Sequence, residues 1–352
     1  MTACPTVSVV MAAYKGADLI TETLDSLQQQ TFGDFELVVV DDCSPDETAA
    51  VIRAYGDPRI RLIRAERNAG CVHARNRAFA EARGRYIVGL DHDDICLPER
   101  FAKQVAFLDS NPEVVLVGTA TKLLENGTIR PHPRPTGLTP DLIDWLMLTR
   151  NPLVWSSVMF RADAARRLEI FERPDLLYAE DFDLYHRLRP FGKIAELDAV
   201  LTLYRNHPGG LSKLHENKML AQAAVVLEQV HADLLGESDP QMTERIVRHV
   251  MARQPVPDAA TLSALFLSID TLHRAFADRY QPGEAAREAV RQDIARIWHQ
   301  LCRAAIRSGA VPMHQARSAA PTDAATGHGQ VDLLVSRMVG QVRAMRRDRF
   351  RA

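Results

Sequence analysis

Short apolar runs and amphipathic stretches alternate along the first 120 residues of the chain. The apolar runs are nearly continuous and rich in β-branched residues: "VSVVM" (7–11), "FELVVV" (35–40), "IRLIR" (60–64), "RYIVGL" (85–90) and "VVLVG" (114–118). Such runs predict strands that are covered on both faces, as in a parallel sheet. The stretches between them, for example "CVHARNRAFAEAR", have the period of a helix. The repeated strand–helix–strand order predicts right-handed βαβ units and a doubly wound α/β domain.

Three local signals refine these elements. Ser44 and Glu47 stand three residues apart before the second helical stretch, a spacing that predicts a capping box. Gly84 follows the third helical stretch and is predicted to end that helix. The dipeptide Asn126-Gly127 within "TKLLENGTIR" predicts a β-hairpin turn, so mixed α/β structure should continue beyond residue 118.

From about residue 215 onward the pattern is helical. Two apolar stripes recur at helical spacing: Leu262, Leu265, Phe266, Ile269, Leu272 and Phe276, then Val290, Ile294, Ile297, Trp298 and Leu301. Residues 309–330 contain few large apolar side chains, as flexible linkers do, and the segment after them is rich in arginine. We therefore predict an α/β domain over residues 1–214, a helical region over 215–308, a linker over 309–330 and a basic amphipathic helix over 331–352.

Composition and charge narrow the class of protein. The 43 basic and 45 acidic residues nearly cancel, so no nucleic-acid partner is expected. No apolar stretch reaches the roughly 20 residues that cross a bilayer, and "MTACPTVSVV" lacks the features of a secretory signal. The five cysteines are scattered without a C-x-x-C pair, which suits reduced thiols. These features predict a cytoplasmic protein.

Acidic side chains gather where strands end or a helix begins. They are Asp41 and Asp42 after "ELVVV", Asp91, Asp93 and Asp94 after "YIVGL", and Glu180 and Asp181 beside "DFDLYHRL". Ligands of open α/β sheets bind at the carboxyl ends of strands, and collected carboxylates favour a hard divalent cation that can hold a diphosphate. Helix capping and turn formation are the structural alternatives for each cluster. Taken together, the clusters indicate a metal–diphosphate site at one edge of the sheet.

Five motifs follow one another in order between about residues 5 and 212, about 60% of the chain. They are "VSVVMAAYKG", "VVVDDCSPDET", "RNAGCVHARNRAFAEARGRYIVGLDHDD", "SSVMFRADAARRL" with "AEDFDLYHRL", and "YRNHPGGLS". In these motifs the chain resembles the inverting GT-A glycosyltransferases of family 2. The resemblance implies a GT-A type, Rossmann-like mixed sheet before the helical region. It also implies sugar transfer from a nucleotide-diphosphate donor, expected to be a UDP-sugar, to a hydroxyl of a glycan, lipid-linked or other acceptor in polysaccharide biosynthesis.

The resemblance also implies which residues hold the nucleotide. Tyr14 would stack on the base, and Asp42 would accept a hydrogen bond from a ring N–H while Asp41 supports that loop. Ala12 stands near the usual proline of the family, and its contact would go through the backbone. Arg75 would help to hold the base or the diphosphate.

A divalent cation, Mn²⁺ or Mg²⁺, is implied in the same way. Asp93 and Asp94 resemble the ribose and metal contacts of the family, and Asp91 would fix the loop or join the metal shell. His207, within "YRNHPGG", resembles the late histidine that closes over the metal and the diphosphate.

Two further acids resemble the catalytic groups. Asp181 would act as the general base that takes the proton of the acceptor hydroxyl, a role that typically contributes about 10²–10⁴-fold. Glu180 would position the acceptor or the base. In-line attack opposite the diphosphate would invert the anomeric configuration.

Other functions stay open beside this one. A non-catalytic nucleotide- or carbohydrate-binding scaffold with a degenerate site is the alternative, and the retained acidic clusters count against it. A sugar nucleotidyltransferase would be expected to carry a glycine-rich basic loop where the chain has "MAAYKGAD", and an oxidoreductase is disfavoured because G-x-G-x-x-G is absent. The C-terminal helices could contact the inner membrane face, a partner, a second copy in a homo-oligomer, or their own domain.

Overall fold

The computed structural model describes residues 4–318 and residue 336 of the 352-residue chain. The chain forms two compact units. One contains Met1–Ile143 and Asn151–Gln222, and the other contains Asp144–Arg150 and Ala223–Ala352. The short segment Asp144–Arg150 therefore belongs to the second unit, although its neighbours in sequence belong to the first.

The first unit is built on a mixed sheet of nine strands within the part of the chain that the structure describes. The strands are β1 (Val7–Ala13), β2 (Phe35–Asp41), β3 (Ile60–Arg64), β4 (Tyr86–Gly89), β5 (Ile95–Cys96), β6 (Val114–Glu125), β7 (Thr128–Pro131), β8 (Met159–Arg161) and β9 (Lys193–Arg205). Their order is β3-β2-β1-β4-β8-β6-β9-β5, with β7 paired to β6. β1 to β4 run parallel, whereas β8 is antiparallel to both β4 and β6. The predicted mixed α/β sheet is confirmed.

Helices connect these strands. Those before residue 215 are α1 (Ile20–Gln28), α2 (Thr48–Tyr55), α3 (Cys71–Glu81), α4 (Arg100–Ser110), α5 (Pro140–Leu146), α6 (Ala162–Ala165), α7 (Glu180–Leu188) and α8 (Leu211–Leu214). The predicted hairpin turn is confirmed as well: Asn126 and Gly127 join β6 to β7 with φ of 48° and 75°, the left-handed backbone that a tight turn of this kind requires.

The central strand β1 shows why an apolar run becomes an interior strand. All seven of its residues are buried, and Val9 and Met11 join a core cluster with Ile20 and Leu24 of α1. Successive side chains of a strand point to opposite faces, so complete burial means that both faces are covered. Burying one large aliphatic side chain stabilises the fold by about 1.5–3 kcal/mol.

The capping box predicted at Ser44 and Glu47 is wrong. α2 begins at Thr48, and the Ser44 hydroxyl instead accepts a hydrogen bond from the Lys15 backbone N–H at 3.1 Å. The contact joins the loop after β2 to the loop after β1. The spacing of the motif could not distinguish this contact from a cap.

Gly84 does not end the third helix either. α3 ends at Glu81, and a Cβ atom on Gly84 would lie 2.5 Å from the backbone nitrogen of Ser8. The Gly84 N–H donates to the Ser8 hydroxyl at 2.7 Å. A glycine is needed here because the chain passes directly against β1.

The second unit consists of helices and the loops between them in the part of the chain that is described. Besides Asp144–Arg150 it contains most of α9 (Glu216–Leu235), then α10 (Pro240–Arg245), a π-helical turn (Ile246–Met251), α11 (Ala259–Tyr280), α12 (Glu284–Ser308) and α13 (Met313–Ser318). The predicted stripes of α11 and α12 are buried, except that Phe266 and Ile294 are partly exposed. No helix among the described residues is long and apolar enough to span a membrane.

Much of the predicted C-terminal segment lies outside the described residues. α13 falls within the stretch 309–330 that composition predicts to be a linker. Residues 319–330 of that stretch, and the predicted basic helix over 331–352 apart from residue 336, lie outside the described residues.

One buried acid organises the second unit. Asp293 of α12 accepts hydrogen bonds from Trp145 Nε1 at 2.9 Å, from Arg150 at 2.6 Å and from Arg296 at 2.9 Å. The carboxylate thereby fastens the segment Asp144–Arg150 to α12.

Candidate active site

The carboxyl ends of β2, β1 and β4 are neighbours in the sheet, and the candidate residues follow them. The strand register pairs Ala13 with Asp41, and the Asp42 N–H donates to the Ala13 carbonyl oxygen at 2.9 Å. Because parallel strands end at the same edge of a sheet, the loops that carry Tyr14, Asp42 and Asp91 meet there.

Asp41 and Asp42 hold this edge together. Asp42 Oδ1 accepts the Ala69 N–H at 2.9 Å, and Oδ2 accepts the Gly70 N–H at 2.7 Å, just before α3 begins. Asp41 is buried, and its Oδ1 accepts the Ser44 N–H at 3.3 Å. Each carboxylate oxygen of Asp42 retains a second lone pair for a ligand N–H.

The end of β1 is buried, and the loop that follows it is partly exposed to solvent. Ala12 is buried, whereas Tyr14 is 40% exposed and presents its ring to solvent. A Cβ atom on Gly16 would lie 2.4 Å from His92 Cδ2, so this loop packs directly on the loop after β4 through the His92 ring. No role was predicted for His92 from the sequence, and its contact joins two loops that are far apart along the chain.

Arg75 connects the acids of two different loops. Its Nη2 donates to Asp91 Oδ1 at 2.8 Å, its Nη1 donates to Glu180 Oε1 at 2.9 Å, and Nη1 lies 3.5 Å from Glu172 Oε1. The guanidinium is 4.8 Å from the centroid of the Trp155 ring. Arg75 of α3 therefore links the end of β4 to the start of α7.

Glu172 is the acid that sequence reasoning missed. It is fully buried, and neither carboxylate oxygen has a hydrogen-bond partner in the described part of the chain. Burial raises the pKa of Glu172 well above its usual range, although Arg75 opposes the rise. The segment "RRLEIFERPD" contains several charged residues, and nothing in it marks this glutamate as the buried one.

The acids of the predicted metal set have different hydrogen-bond partners in the structure. Asp93 Oδ2 lies 2.9 Å from His207 Nε2, and their side chains are 18% and 28% exposed. Asp91 is paired with Arg75, and the buried Asp94 accepts the Arg205 backbone N–H at 2.7 Å through Oδ1. Among the residues described, no three His, Cys, Asp or Glu side chains are arranged to hold a metal ion.

Asp93 and His207 nevertheless fit a divalent cation. One carboxylate and one imidazole nitrogen, close together at a partly exposed edge, form a donor set that suits Mn²⁺ and leaves coordination positions for phosphate oxygens. The antiparallel pairing of β5 with β9 brings the two residues together, since Asp93 shortly precedes β5 and His207 shortly follows β9.

Asp181, the second residue of α7, has the environment of a base. Oδ1 accepts the Phe182 N–H at 2.7 Å, and Oδ2 accepts from Asn151 Nδ2 at 3.0 Å. Burial, reinforced by the charge of Glu180, raises the pKa of Asp181 to about 6. A carboxylate with this pKa is ionised at neutral pH and still basic enough to share a proton.

Known proteins resemble this chain in sequence. The family described as "Glycosyl transferase family 2" matches residues 8–169. An uncharacterized glycosyltransferase of Methanocaldococcus jannaschii is 31% identical over 223 residues, which cover 61% of this chain and 76% of that protein. The chain belongs to glycosyl transferase family 2. As a member of this family it is an enzyme of the transferase class.

Another relative matches this chain over less than half of its own length. The succinoglycan biosynthesis protein ExoO of Rhizobium meliloti is 36% identical over 160 residues, which cover 45% of this chain and 44% of that protein. The chain thus spans less than half of ExoO.

Solved structures of glycosyltransferases share the fold. S. aureus TarS 1-349 in complex with UDP-GlcNAc gives a TM-score of 0.54 at 19% identity and covers 96% of this chain and 92% of its own. The mannosyltransferase PcManGT from Pyrobaculum calidifontis, in complex with GDP-Man and Mn²⁺, gives a TM-score of 0.50 at 19% identity, with 96% and 88% coverage. At these identities the similarity shows the fold alone, and the predicted GT-A fold is confirmed.

Proposed function

We propose that this family 2 enzyme transfers a sugar from a nucleotide-diphosphate donor to an acceptor hydroxyl with inversion, and that Asp181 is its general base. The observation that carries the proposal is the double contact of Arg75. One guanidinium binds Asp91 at the end of β4 and Glu180, the neighbour of Asp181 in α7. The edge of the sheet where the donor would bind is thereby connected to the helix that carries the base.

The donor is a nucleotide-sugar, and a UDP-sugar is the first choice. TarS was solved with UDP-GlcNAc and PcManGT with GDP-Man, which supports this class of donor for the shared fold. Tyr14 is exposed enough to stack on the base, and Asp42 and Ala12 lie beside it. The acceptor is a hydroxyl of a glycan or lipid-linked molecule, and the name of ExoO supports a place in polysaccharide biosynthesis.

Asp181 takes the proton from the acceptor hydroxyl as that oxygen attacks the anomeric carbon. Each of its oxygens accepts one N–H and keeps a second lone pair for the hydroxyl. With a pKa of about 6, about nine tenths of the molecules carry the ionised base at pH 7. Glu180, held by Arg75, adds the negative charge that keeps this base strong.

Asp93 and His207 would hold a divalent cation. Such an ion, when bound, compensates the charge that develops on a departing diphosphate. Arg205 supports this pair, since its Nε donates to the Asp93 carbonyl oxygen at 2.7 Å and its N–H donates to Asp94. We assign Asp94 to holding this loop in place.

Calorimetric titration with UDP, GDP, dTDP and CDP, each with Mn²⁺, Mg²⁺ or EDTA, tests the donor site. We expect one diphosphate to bind with a divalent cation and to bind at least about tenfold more weakly in EDTA. Asp93→Ala should lose the metal-dependent part of binding, and Asp163→Asn, an exposed acid on α6, serves as the control.

The base is tested on the donor that this titration selects. Asp181→Asn should bind the nucleotide as the wild type does and lose at least about 10²-fold in transfer. Full transfer by Asp181→Asn would refute its role as the base. Failure of the wild type to bind any nucleotide would favour the non-catalytic scaffold.

A further inference from the structure

The geometry points to Asn151 as a positioning residue for Asp181, one that orients the carboxylate and stabilises its ionised form. This inference rests on the proposed role of Asp181 as the general base. Asn151 lies outside every motif of the family resemblance, and its relation to Asp181 exists only in the folded chain.

The amide of Asn151 can be oriented in one way only. Its Oδ1 accepts the Leu153 N–H at 3.1 Å, and its Nδ2 donates to Asp181 Oδ2 at 3.0 Å. Leu153 offers a donor and the Asp181 carboxylate offers acceptors, so turning the amide over would break both hydrogen bonds. The N–H group that faces Asp181 is therefore fixed by its surroundings.

Two hydrogen bonds from Arg134 stabilise the turn that carries Asn151. Arg134 Nη1 donates to the Asn151 carbonyl oxygen at 3.0 Å and also to the Leu153 carbonyl oxygen. Pro152 stands between these two residues, where its ring restricts both its own φ and the conformation of Asn151. A half-buried guanidinium and a proline thus make a stiff support for one side-chain amide.

Several charged or titratable groups face Asp181, and they act in opposite directions. Glu180 on the same helix opposes ionisation, and the guanidinium groups of Arg75 and Arg134 favour it. Glu172, before α7, and Tyr185, one turn further along α7, also interact with this carboxylate. Together these groups set the electrostatic background against which the Asn151 amide acts.

Two N–H donors fix the orientation of the Asp181 carboxylate. The Phe182 N–H belongs to the backbone of α7 and is present whatever the side chains are. The Asn151 amide is the donor that substitution can remove. A hydrogen bond to an ionised group favours that form, so its removal should make Asp181 easier to protonate.

The titration of Asp181 can be followed directly. Protein labelled with ¹³C at the aspartate carboxyl carbons is titrated by NMR, and the Asp181 signal is assigned from its loss in Asp181→Asn. Asn151→Ala should raise the pKa of Asp181 by about one unit, the size expected for losing a hydrogen bond to a charged group. Asn151→Asp keeps the shape and the bond to Leu153 but places a second carboxylate against Asp181, and should raise the pKa at least as much.

Asn111 provides a matched control. Its Nδ2 donates to the Phe107 carbonyl oxygen at 2.7 Å at the end of α4, so Asn111→Ala also deletes one amide hydrogen bond. We expect no change in the Asp181 titration in this variant. Circular dichroism establishes that each variant is folded.

Transfer should follow the titration. If the pKa of Asp181 moves up by about one unit from about 6, turnover of Asn151→Ala falls about fivefold at pH 6 and stays close to the wild-type value at pH 8. A loss of rigidity alone would lower turnover equally at both values.

The outcomes separate this inference from the proposed function. An unmoved Asp181 titration in folded Asn151→Ala and Asn151→Asp overturns the inference, even if Asp181→Asn has lost transfer. A shifted titration combined with an active Asp181→Asn enzyme refutes the general base and leaves the contact between the two residues established. A shifted titration with a matching shift of the pH–rate profile supports both.

Discussion

Replacing Asp181 by asparagine removes a buried negative charge that destabilises the folded state at neutral pH. Burial and Glu180 raise the pKa of this carboxyl from 3.8 to about 6. A folded-state pKa above the unfolded value means that the native chain binds the proton more tightly. The contribution of Asp181 to stability is therefore fully present below about pH 4 and is lost as the pH rises through 6.

The size of this effect follows from the two pKa values. One pKa unit corresponds to about 1.4 kcal/mol, so the rise from 3.8 to about 6 corresponds to about 3 kcal/mol lost above pH 7. Asparagine keeps the oxygen that accepts the Phe182 N–H, but its amide nitrogen meets the Asn151 amide donor. That lost hydrogen bond costs about 1 kcal/mol. We expect Asp181→Asn to be about 2 kcal/mol more stable than the wild type at pH 8.

The assay is the free energy of unfolding in urea, measured for both proteins at pH 4 and pH 8. The gain should appear at pH 8 and vanish near pH 4, where the wild-type carboxyl is largely protonated in the native state. A substitution that abolishes transfer and raises stability is the result expected when the replaced group is held in an unfavourable environment for catalysis.

Asp183, two residues along the same helix, supplies a control of opposite sign. It is buried like its neighbours, but Arg187 Nε donates to it at 2.7 Å and Arg173 pairs with it as well. Asp183→Asn should therefore destabilise the fold by about 1.5–3 kcal/mol. The reasoning is refuted if Asp181→Asn is less stable than the wild type at pH 8, or if its difference from the wild type is the same at both pH values.

Two further changes test other parts of the chain. Gly16→Ala should push the His92 ring and weaken nucleotide binding by about tenfold in calorimetry, since the new Cβ would lie 2.4 Å from Cδ2, whereas Gly33→Ala has no atom within 4 Å of its Cβ and should bind normally. Asp293→Ala should lower the free energy of unfolding by about 3 kcal/mol, because the buried Trp145 Nε1–H and the half-buried Arg150 guanidinium lose their acceptor. Glu288→Ala, on the exposed face of the same helix, should leave the urea midpoint unchanged.

The elements that sequence alone predicts well are those whose signal is local. The continuous run at residues 35–40 forms β2, and Asn126-Gly127 forms a hairpin turn. Both were predictable because an apolar run and a turn dipeptide are visible within a few consecutive residues. β5 was not predicted, since two residues show no period and pair only because β9 passes beside them.

The sequence predicts where the candidate site lies, and it predicts less well which partner each acid has. Asp91, Asp93 and Asp94 lie within four positions, and the clustered acids predicted a metal–diphosphate site without dividing the roles among them. Side chains that are adjacent in a tight loop point in different directions, and the three find different partners: Arg75, His207 and the Arg205 N–H. Roles that depend on contacts across the fold, as for Asn151, leave no trace in the local pattern.

The structure also separates acids that support the fold from acids that weaken it. Asp42 accepts hydrogen bonds from two backbone N–H groups of the loop before α3, so this contact accounts for its burial without a ligand. No such contact accounts for Glu172, whose buried carboxylate accepts no hydrogen bond among the described residues, nor for Asp181, whose pKa is raised to about 6. Both acids lie in the same cluster as Arg75, and perturbed ionisable groups of this kind gather at functional sites. The charge at Asp181 lowers stability at neutral pH, which supports the proposal that this carboxylate serves the reaction.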